Sequence, residues 1–302
     1  MDMQTQTQPQ DGGIHILVCI KQVPDSAQIR VHPVTNTIMR QGVPTIINPY
    51  DLFALEEALS VRDRFRRDGL SSHVTVLTMG PPMAEDSLRK ALTFGADRAV
   101  LLTDRTFAGS DTLATTFALS QAIAKAGETW GKPAIVFCGK QTIDGDTAQV
   151  GPGIASRLNL NQLTYVARIV SLDPAAATIE VERRAEGGVQ LLSTRLPVLV
   201  TMLEGSNEMR RGSLDSALSA AAAKIEVWNA AAAGITEPAK CGLKGSPTIV
   251  KKVFAPRPRD DRAELLETSG RSYDEIAHEL MAGIFAKQPQ IEADLMRFAS
   301  GQ

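Results

Sequence analysis

The feature that most constrains this chain is an alternation that begins at Ile14, in which short runs of branched apolar residues are separated by longer stretches with helical spacing. The runs are Ile14 to Ile20, Val74 to Thr78, Ala99 to Leu102 and Ala134 to Cys138. Apolar runs of this kind are what strands covered on both faces of a parallel sheet require. The stretches between them read as crossover helices. Asn48-Pro49-Tyr50-Asp51 opens the first, with Leu52, Leu55 and Leu59 on one side and Glu56, Arg62 and Asp63 expected to face water. Glu85 to Phe94 repeats the pattern with Leu88, Ala91 and Leu92, and Asp111 to Ala126 does so with Leu113, Phe117 and Ala118. A fourth helix is expected near Thr147. Strand and helix alternating four times predict a doubly wound, mainly parallel, Rossmann-like α/β domain whose ligand sits at the carboxyl ends of the strands.

After about Leu160 the rhythm changes. Leu163 to Leu172, Thr178 to Arg184, Val189 to Thr194 and Val198 to Leu203 are strand-like, with Gly187-Gly188 as a hairpin turn, and together they read as an antiparallel extension. Ala217 to Ala223 reads as helix. Lys244-Gly245-Ser246-Pro247 and Pro256-Arg257-Pro258 punctuate an extended tail, and Tyr273 to Ala286 carries the stripe Ile276, Leu280, Ile284. That stripe must bury itself on its own domain or on another subunit. The expected organisation is a polar, Gln-rich disordered leader over residues 1–13, a nucleotide-binding α/β domain over 14–234, and a C-terminal extension with a terminal helix over 235–302.

Charge and cysteine content narrow the function. Thirty-two basic against 34 acidic residues give a formal charge of -2, which points away from nucleic acid. Cys19, Cys138 and Cys241 show no CxxC spacing, which argues against a disulfide framework or a metal site and fits a reducing, cytoplasmic compartment. No apolar run approaches the roughly 18 residues of a membrane span, so no direct membrane insertion is expected.

The most informative segment runs from Cys138 to Pro152, between a strand and a helix. Glycines admit close backbone approach, and the first-turn amides of a helix attract anions. The loop is neither a P-loop nor GxGxxG. Asp144 and Asp146 would repel a phosphate directly, so backbone amides with Thr147 and Gln149 are expected to face it, while the aspartates bond ribose hydroxyls or cap the helix. An ordinary strand-to-helix turn is the alternative. Lys21-Gln22-Val23-Pro24-Asp25, Met79-Gly80-Pro81-Pro82 and Gly109-Ser110-Asp111-Thr112 fall at the same sheet edge, and each alone reads as a turn. His15, His32, His73 and His278 are scattered, and no HExxH, GxSxG or cysteine–histidine pair is present. A nucleotide pocket without acid, base or nucleophile leaves the chemistry to the bound molecule.

Taken in order, Ile16-Leu17-Val18-Cys19-Ile20-Lys21-Gln22-Val23-Pro24-Asp25, Asn48-Pro49-Tyr50-Asp51, Thr78-Met79-Gly80-Pro81, Asp111-Thr112-Leu113-Ala114-Thr115 and the Cys138 to Pro152 loop closely resemble the beta subunit of electron-transfer flavoproteins. The resemblance covers roughly Ile14 to Trp228. The wording Asp144 to Pro152 and Gly242 to Thr248 is similar to the electron-bifurcating branch, and within it to the Fix-type subunit associated with nitrogen fixation.

The resemblance implies a heterodimer with an alpha subunit that carries its own FAD and receives the C-terminal extension. It implies AMP in the beta pocket of ordinary members and a second FAD in bifurcating ones. There NADH is the electron donor, with one electron going to ferredoxin or flavodoxin and the other through the alpha subunit to a quinone oxidoreductase. Carried over by position, the cofactor site comprises Cys19, Ile20, Lys21, Gln22, Val23, Asn48, Asp51, Met79, Gly80, Pro81, Thr112, Ala114 and Thr115. Gly139, Gln141, Asp144, Gly145, Asp146, Thr147, Gln149, Val150 and Gly151 complete it around the pyrophosphate and ribose. The segment Glu204 to Ala217 matches in position the family's loop for recognising redox partners.

Overall fold

The apolar runs become strands because each can be covered on both sides. In a computed structural model describing residues 13–25, 44–251 and 263–300, these are β1 (Ile14–Cys19), β4 (Ser72–Met79), β5 (Arg98–Leu102) and β6 (Ile135–Gly139). With β7 (Asn161–Asp173), β8 (Thr178–Ala185), β9 (Gly188–Arg195), β10 (Val198–Met202) and β11 (Glu226–Trp228) they form one sheet, ordered β11-β5-β4-β1-β6-β10-β7-β8-β9. A small antiparallel pair, β2 (Gln22–Pro24) and β3 (Thr45–Ile47), stands apart. The expected leader lies almost wholly outside the described residues, as do His32 and Pro256-Arg257-Pro258.

The helices are α1 (Pro49–Arg67), α2 (Glu85–Thr93), α3 (Thr112–Trp130), α4 (Val150–Leu158), α5 (Leu214–Ala222), α6 (Tyr273–Lys287) and α7 (Pro289–Ala299). Their ends follow local chemistry. Pro49 opens α1, where a missing N–H costs nothing, and Arg64, Arg66 and Arg67 sit at its negative carboxyl end. Asp111 caps α3 by accepting from the Leu113 and Ala114 amides, and Asn159 ends α4 in the left-handed conformation.

Successive strand residues belong to two separate cores. Ile16, Val18, Ile135, Phe137, Val198 and Val200 pack with α1 and α2; Leu17, Cys19, Val136, Cys138 and Leu199 pack with α3 and α4. Helices therefore cover both faces of the sheet, as the doubly wound reading expects. Full burial of each such side chain stabilises by about 1.5–3 kcal/mol, so truncating Phe137 to alanine costs about 3–5 kcal/mol.

Several expectations are corrected. Val198 to Leu203 is not antiparallel: β10 runs parallel to both β6 and β7, and all five of its residues are buried. The antiparallel part is β7-β8-β9, and its turn is Glu186-Gly187, because Ala185 pairs with Gly188. Glu56 and Arg62 do not face water. They are buried because distant partners neutralise them, Arg210 for Glu56 and Asp97 for Arg62. Leu113 leaves the apolar stripe and is half exposed. The fourth helix starts at Val150 rather than near Thr147, since Asp146 and Ala148 both hold a φ of 54°, which no right-handed helix admits.

Contacts group the chain into two units, Met1–Phe254 and Ala255–Gln302, which keeps the residues just past 234 with the first unit. The reason is packing: Ile235 and Cys241 are buried, and Gly242 to Gly245 form a short 3-10 turn rather than extended chain. The second unit contains α6 and an additional helix, α7. Neither has a buried residue, and Leu280, Ile284, Ile291, Leu295, Met296 and Phe298 are all exposed.

Candidate functional site

Strand order places the site. β1 leads through α1 to β4 on one side, while β6 lies on the other, so the order reverses between β1 and β6. Ligands of open α/β sheets bind at such a switch point, outside the carboxyl ends of the strands. The loops leaving it carry Cys19 to Val23 and Gly139 to Gly151.

Asp51, in the first turn of α1, joins these loops. Its carboxylate accepts from the Lys21 amide at 2.7 Å and from the Gly139 amide at 3.1 Å. Burial raises its pKa to about 7, against the opposing pull of Asn48, the two amides and the Lys21 charge. Gly139 has no room for a side chain here: a Cβ would lie 2.5 Å from Asp51 Oδ1 and 2.6 Å from the Tyr50 carbonyl carbon. Asn48 makes a second clasp, donating from Nδ2 to the Gln141 carbonyl at 2.9 Å and accepting the Ile143 amide at 3.2 Å.

The two loop aspartates are occupied. Asp144 takes Lys21 Nζ at 2.7 Å; burial works upward on its pKa, but the lysine's hydrogen bond and charge hold it low. Asp146 accepts from Gln141 Nε2 at 2.8 Å. Neither caps α4. Its N-cap residue is Gln149, which makes no side-chain cap, and Gln149 Oε1 instead accepts from Thr112 at 2.9 Å. The α4 start therefore keeps first-turn amides uncapped by any side chain, and Pro152 needs no partner there. With the dipole behind them these amides suit an anion.

The remaining loops meet at the same edge. Thr78 Oγ1 donates to the Ile20 carbonyl, Gly80 donates to Leu102, and Gln22 reaches the Met83 carbonyl. Met79, Gly80, Pro81, Gln22, Thr112 and Thr115 line this rim part-buried or exposed; Val23, Asp51 and Ala114 are buried beneath it. Gly145 and Thr147 lie exposed in the turn. Val150 is part-buried, while Gly151 is packed under Thr201, where a Cβ would come within 2.7 Å of Cγ2. Cys19 and Cys138 form a buried thiol pair below the loops; the hydrogen bond between them and burial push Cys138 well above the ordinary thiol range.

Four side chains outside the expected cofactor set, Ser246, Thr248, Lys140 and Thr201, also contribute. Ser246 and Thr248 grip Asp111: its amide donates to Ser246 Oγ at 2.8 Å and its carboxylate accepts from Thr248 Oγ1 at 2.9 Å. The Gly-Ser-Pro-Thr wording was the available signal. Lys140 sits 2.8 Å from Glu204, with Nζ 5.0 Å above the Tyr50 ring. Thr201 accepts the amide of Tyr165, whose φ of 58° no local residue pattern announces. Among the described residues no cluster of three or more His, Cys, Asp or Glu is placed to hold a metal, and no helix is long and apolar enough to cross a membrane.

The family model described as "Electron transfer flavoprotein domain" matches residues 35–233, enclosing the loop after β6. The chain belongs to the electron transfer flavoprotein family. It is 68% identical over 282 residues to Protein FixA of Sinorhizobium fredii, covering 93% of this chain and 97% of the relative. Protein FixA of Azotobacter vinelandii is 60% identical over 286 residues, covering 95% and 100%. The electron transfer flavoprotein subunit beta of Clostridium acetobutylicum is 45% identical over 239 residues, covering 79% and 87%. Within the family the chain is thus similar to FixA proteins and to beta subunits, and the resemblance read from the five ordered motifs stands.

Proposed function

We propose that the chain is the cytoplasmic beta subunit of a heterodimeric electron transfer flavoprotein, binding FAD at the switch point and taking part in NADH-dependent electron bifurcation that supports nitrogen fixation. The observation that carries this reading is the uncapped start of α4 beside two clasped loops whose aspartates are already paired. Backbone amides, rather than a lysine, would hold the pyrophosphate; Lys21 is spent on Asp144 and Lys140 on Glu204. The backbone of Cys19, Ile20, Lys21, Gln22 and Val23 would form one wall. Met79, Gly80, Pro81, Thr112, Ala114 and Thr115 would line the opposite side, while Gly139, Gln141, Asp144, Gly145, Asp146, Thr147, Gln149, Val150 and Gly151 would surround the ribose and phosphates. Asn48 and Asp51 would act from below by fixing both loops.

Bound there, FAD supplies hydride acceptance and single-electron release, and the protein supplies position and polarity. Electrons from NADH would leave in two directions, to ferredoxin or flavodoxin and through the FAD of the alpha subunit to a quinone oxidoreductase. The exposed faces of α6 and α7 would pack on the alpha subunit, and the segment Glu204 to Ala217 would serve partner docking. Cofactor stoichiometry tests the reading. Denaturing the purified heterodimer should release two FAD and no AMP; one FAD and one AMP would replace it with a structural-AMP, partner-docking subunit.

A further inference from the structure

β6 and β10 are neighbours, with Cys138 opposite Thr201 and Gly139 opposite Met202. The nucleotide loop and the docking segment therefore leave the sheet side by side, and the Lys140 amide donates to the Met202 carbonyl at 2.9 Å. Lys140 is a cation next to a loop that would hold phosphates, yet its ammonium is turned the other way. It lies 2.8 Å from Glu204 and above the Tyr50 ring, with 14% of its side chain exposed. Arg184 of β8 approaches the other Glu204 oxygen at 3.5 Å. The Lys140 ammonium beside it holds the Glu204 carboxyl below its ordinary range.

The α1 helix makes a second link between the same two regions. Its first turn holds the nucleotide loop through Asn48 and Asp51. Further along, it holds the docking segment. Asn207 donates to the Phe53 carbonyl at 2.9 Å, the Arg210 amide donates to Glu56 at 3.0 Å, and the Arg210 guanidinium binds Glu56 and Asp63 at 2.8 and 2.7 Å. One helix thus carries the anchors of both.

We propose that the Lys140–Glu204 pair couples these regions, so that nucleotide held by the loop after β6 orders the segment Glu204 to Gly212 for partner docking. The inference rests on the nucleotide-site reading above. Its physical basis is shared ordering. Fixing the loop fixes the Lys140 backbone, and a long side chain that has already lost freedom makes its ion pair at a smaller entropic loss. Linkage then requires the reverse: a docked partner tightens nucleotide retention by the same factor.

Hydrogen exchange on the intact heterodimer tests this, with the complex stripped of nucleotide and reloaded with FAD in one arm and AMP in the other. In the wild type, reloading should slow exchange in the loop 139–151 and, by about fivefold or more, in the segment 204–212. In Glu204→Gln the loop should keep its protection while the segment loses the gain. Lys140→Met removes the other half of the pair and should likewise abolish the segment's response, which guards against a folding defect peculiar to Glu204→Gln. A segment that responds fully in both variants, or that stays unchanged in the wild type while the loop is protected, overturns the coupling alone. A loop left unprotected by either nucleotide overturns the site reading and the coupling with it.

Discussion

Asp51→Asn separates what burial does to this carboxyl from what its shape does. The side chain is buried and joins the Lys21 and Gly139 amides, and burial raises its pKa from 3.8 to about 7. Between these values the native state holds a proton that the unfolded chain has lost. The group's contribution is therefore complete below the unfolded pKa and disappears as pH rises through the folded one. From about pH 5.5 to about pH 8 this single group should remove about 2 kcal/mol from wild-type stability. Asparagine does not titrate, so its variant should lack that slope. It offers one acceptor for two amides, and the amide left unpaired in a buried site costs about 1–3 kcal/mol. Urea unfolding of both proteins across this range is the assay. Tryptophan fluorescence reports it, since Trp130 and Trp228 stack on one another within the first unit. Parallel pH profiles for the two proteins would show that Asp51 does not titrate as its burial requires.

Gly145 and Gly151 should behave differently. Among the described residues the only atom within 4 Å of a Cβ at Gly145 is Thr142 Oγ1 at 3.3 Å, so Gly145→Leu should leave stability within about 0.5 kcal/mol and lower cofactor content. Gly151→Ala instead meets Thr201 at 2.7 Å and should cost about 1–3 kcal/mol in unfolding experiments, with cofactor lost only through the damaged fold. Arg210→Met strips Glu56 of its cation and leaves Asp63 with Arg62 alone; because the arginine is 30% exposed, a loss of about 1–3 kcal/mol is expected, with faster proteolysis near residue 210 as the second readout. Asp111→Ala removes the α3 cap and the grip of Thr248, and a fall of about 1–2 kcal/mol in urea titration checks it.

The parallel core was legible because a strand buried on both faces has to be apolar at nearly every position, and β1 and β6 are. The loop after β6 was legible for a related reason: glycine and small polar residues between an apolar run and a helix have few uses. The same logic failed at β10. Its apolar run is as continuous as that of β1, but it follows a hairpin and was grouped with its neighbours in sequence rather than with β6. Glu56 and Arg62 failed because charge pattern reports only local chemistry, whereas the arginine that makes Glu56 buriable comes 154 residues later. The aspartates show a subtler limit. Charge alone makes Asp144 and Asp146 awkward beside phosphate; Asp144 meets Lys21 from a loop 123 residues away, which no spacing announces, whereas Asp146 meets Gln141 within its own loop.

The division of the central strands between two cores has an evolutionary consequence. A substitution at Leu17 is felt among α3 and α4, and one at Val18 among α1 and α2, although the two residues are adjacent in the chain. Effects on opposite sides should combine additively. Substitutions on the side of α1 and α2 can then accumulate without repacking the side that carries α3 and α4. The sheet is a partition between two independently tunable halves, and its carboxyl rim is the place where changes on one must be reconciled with the other.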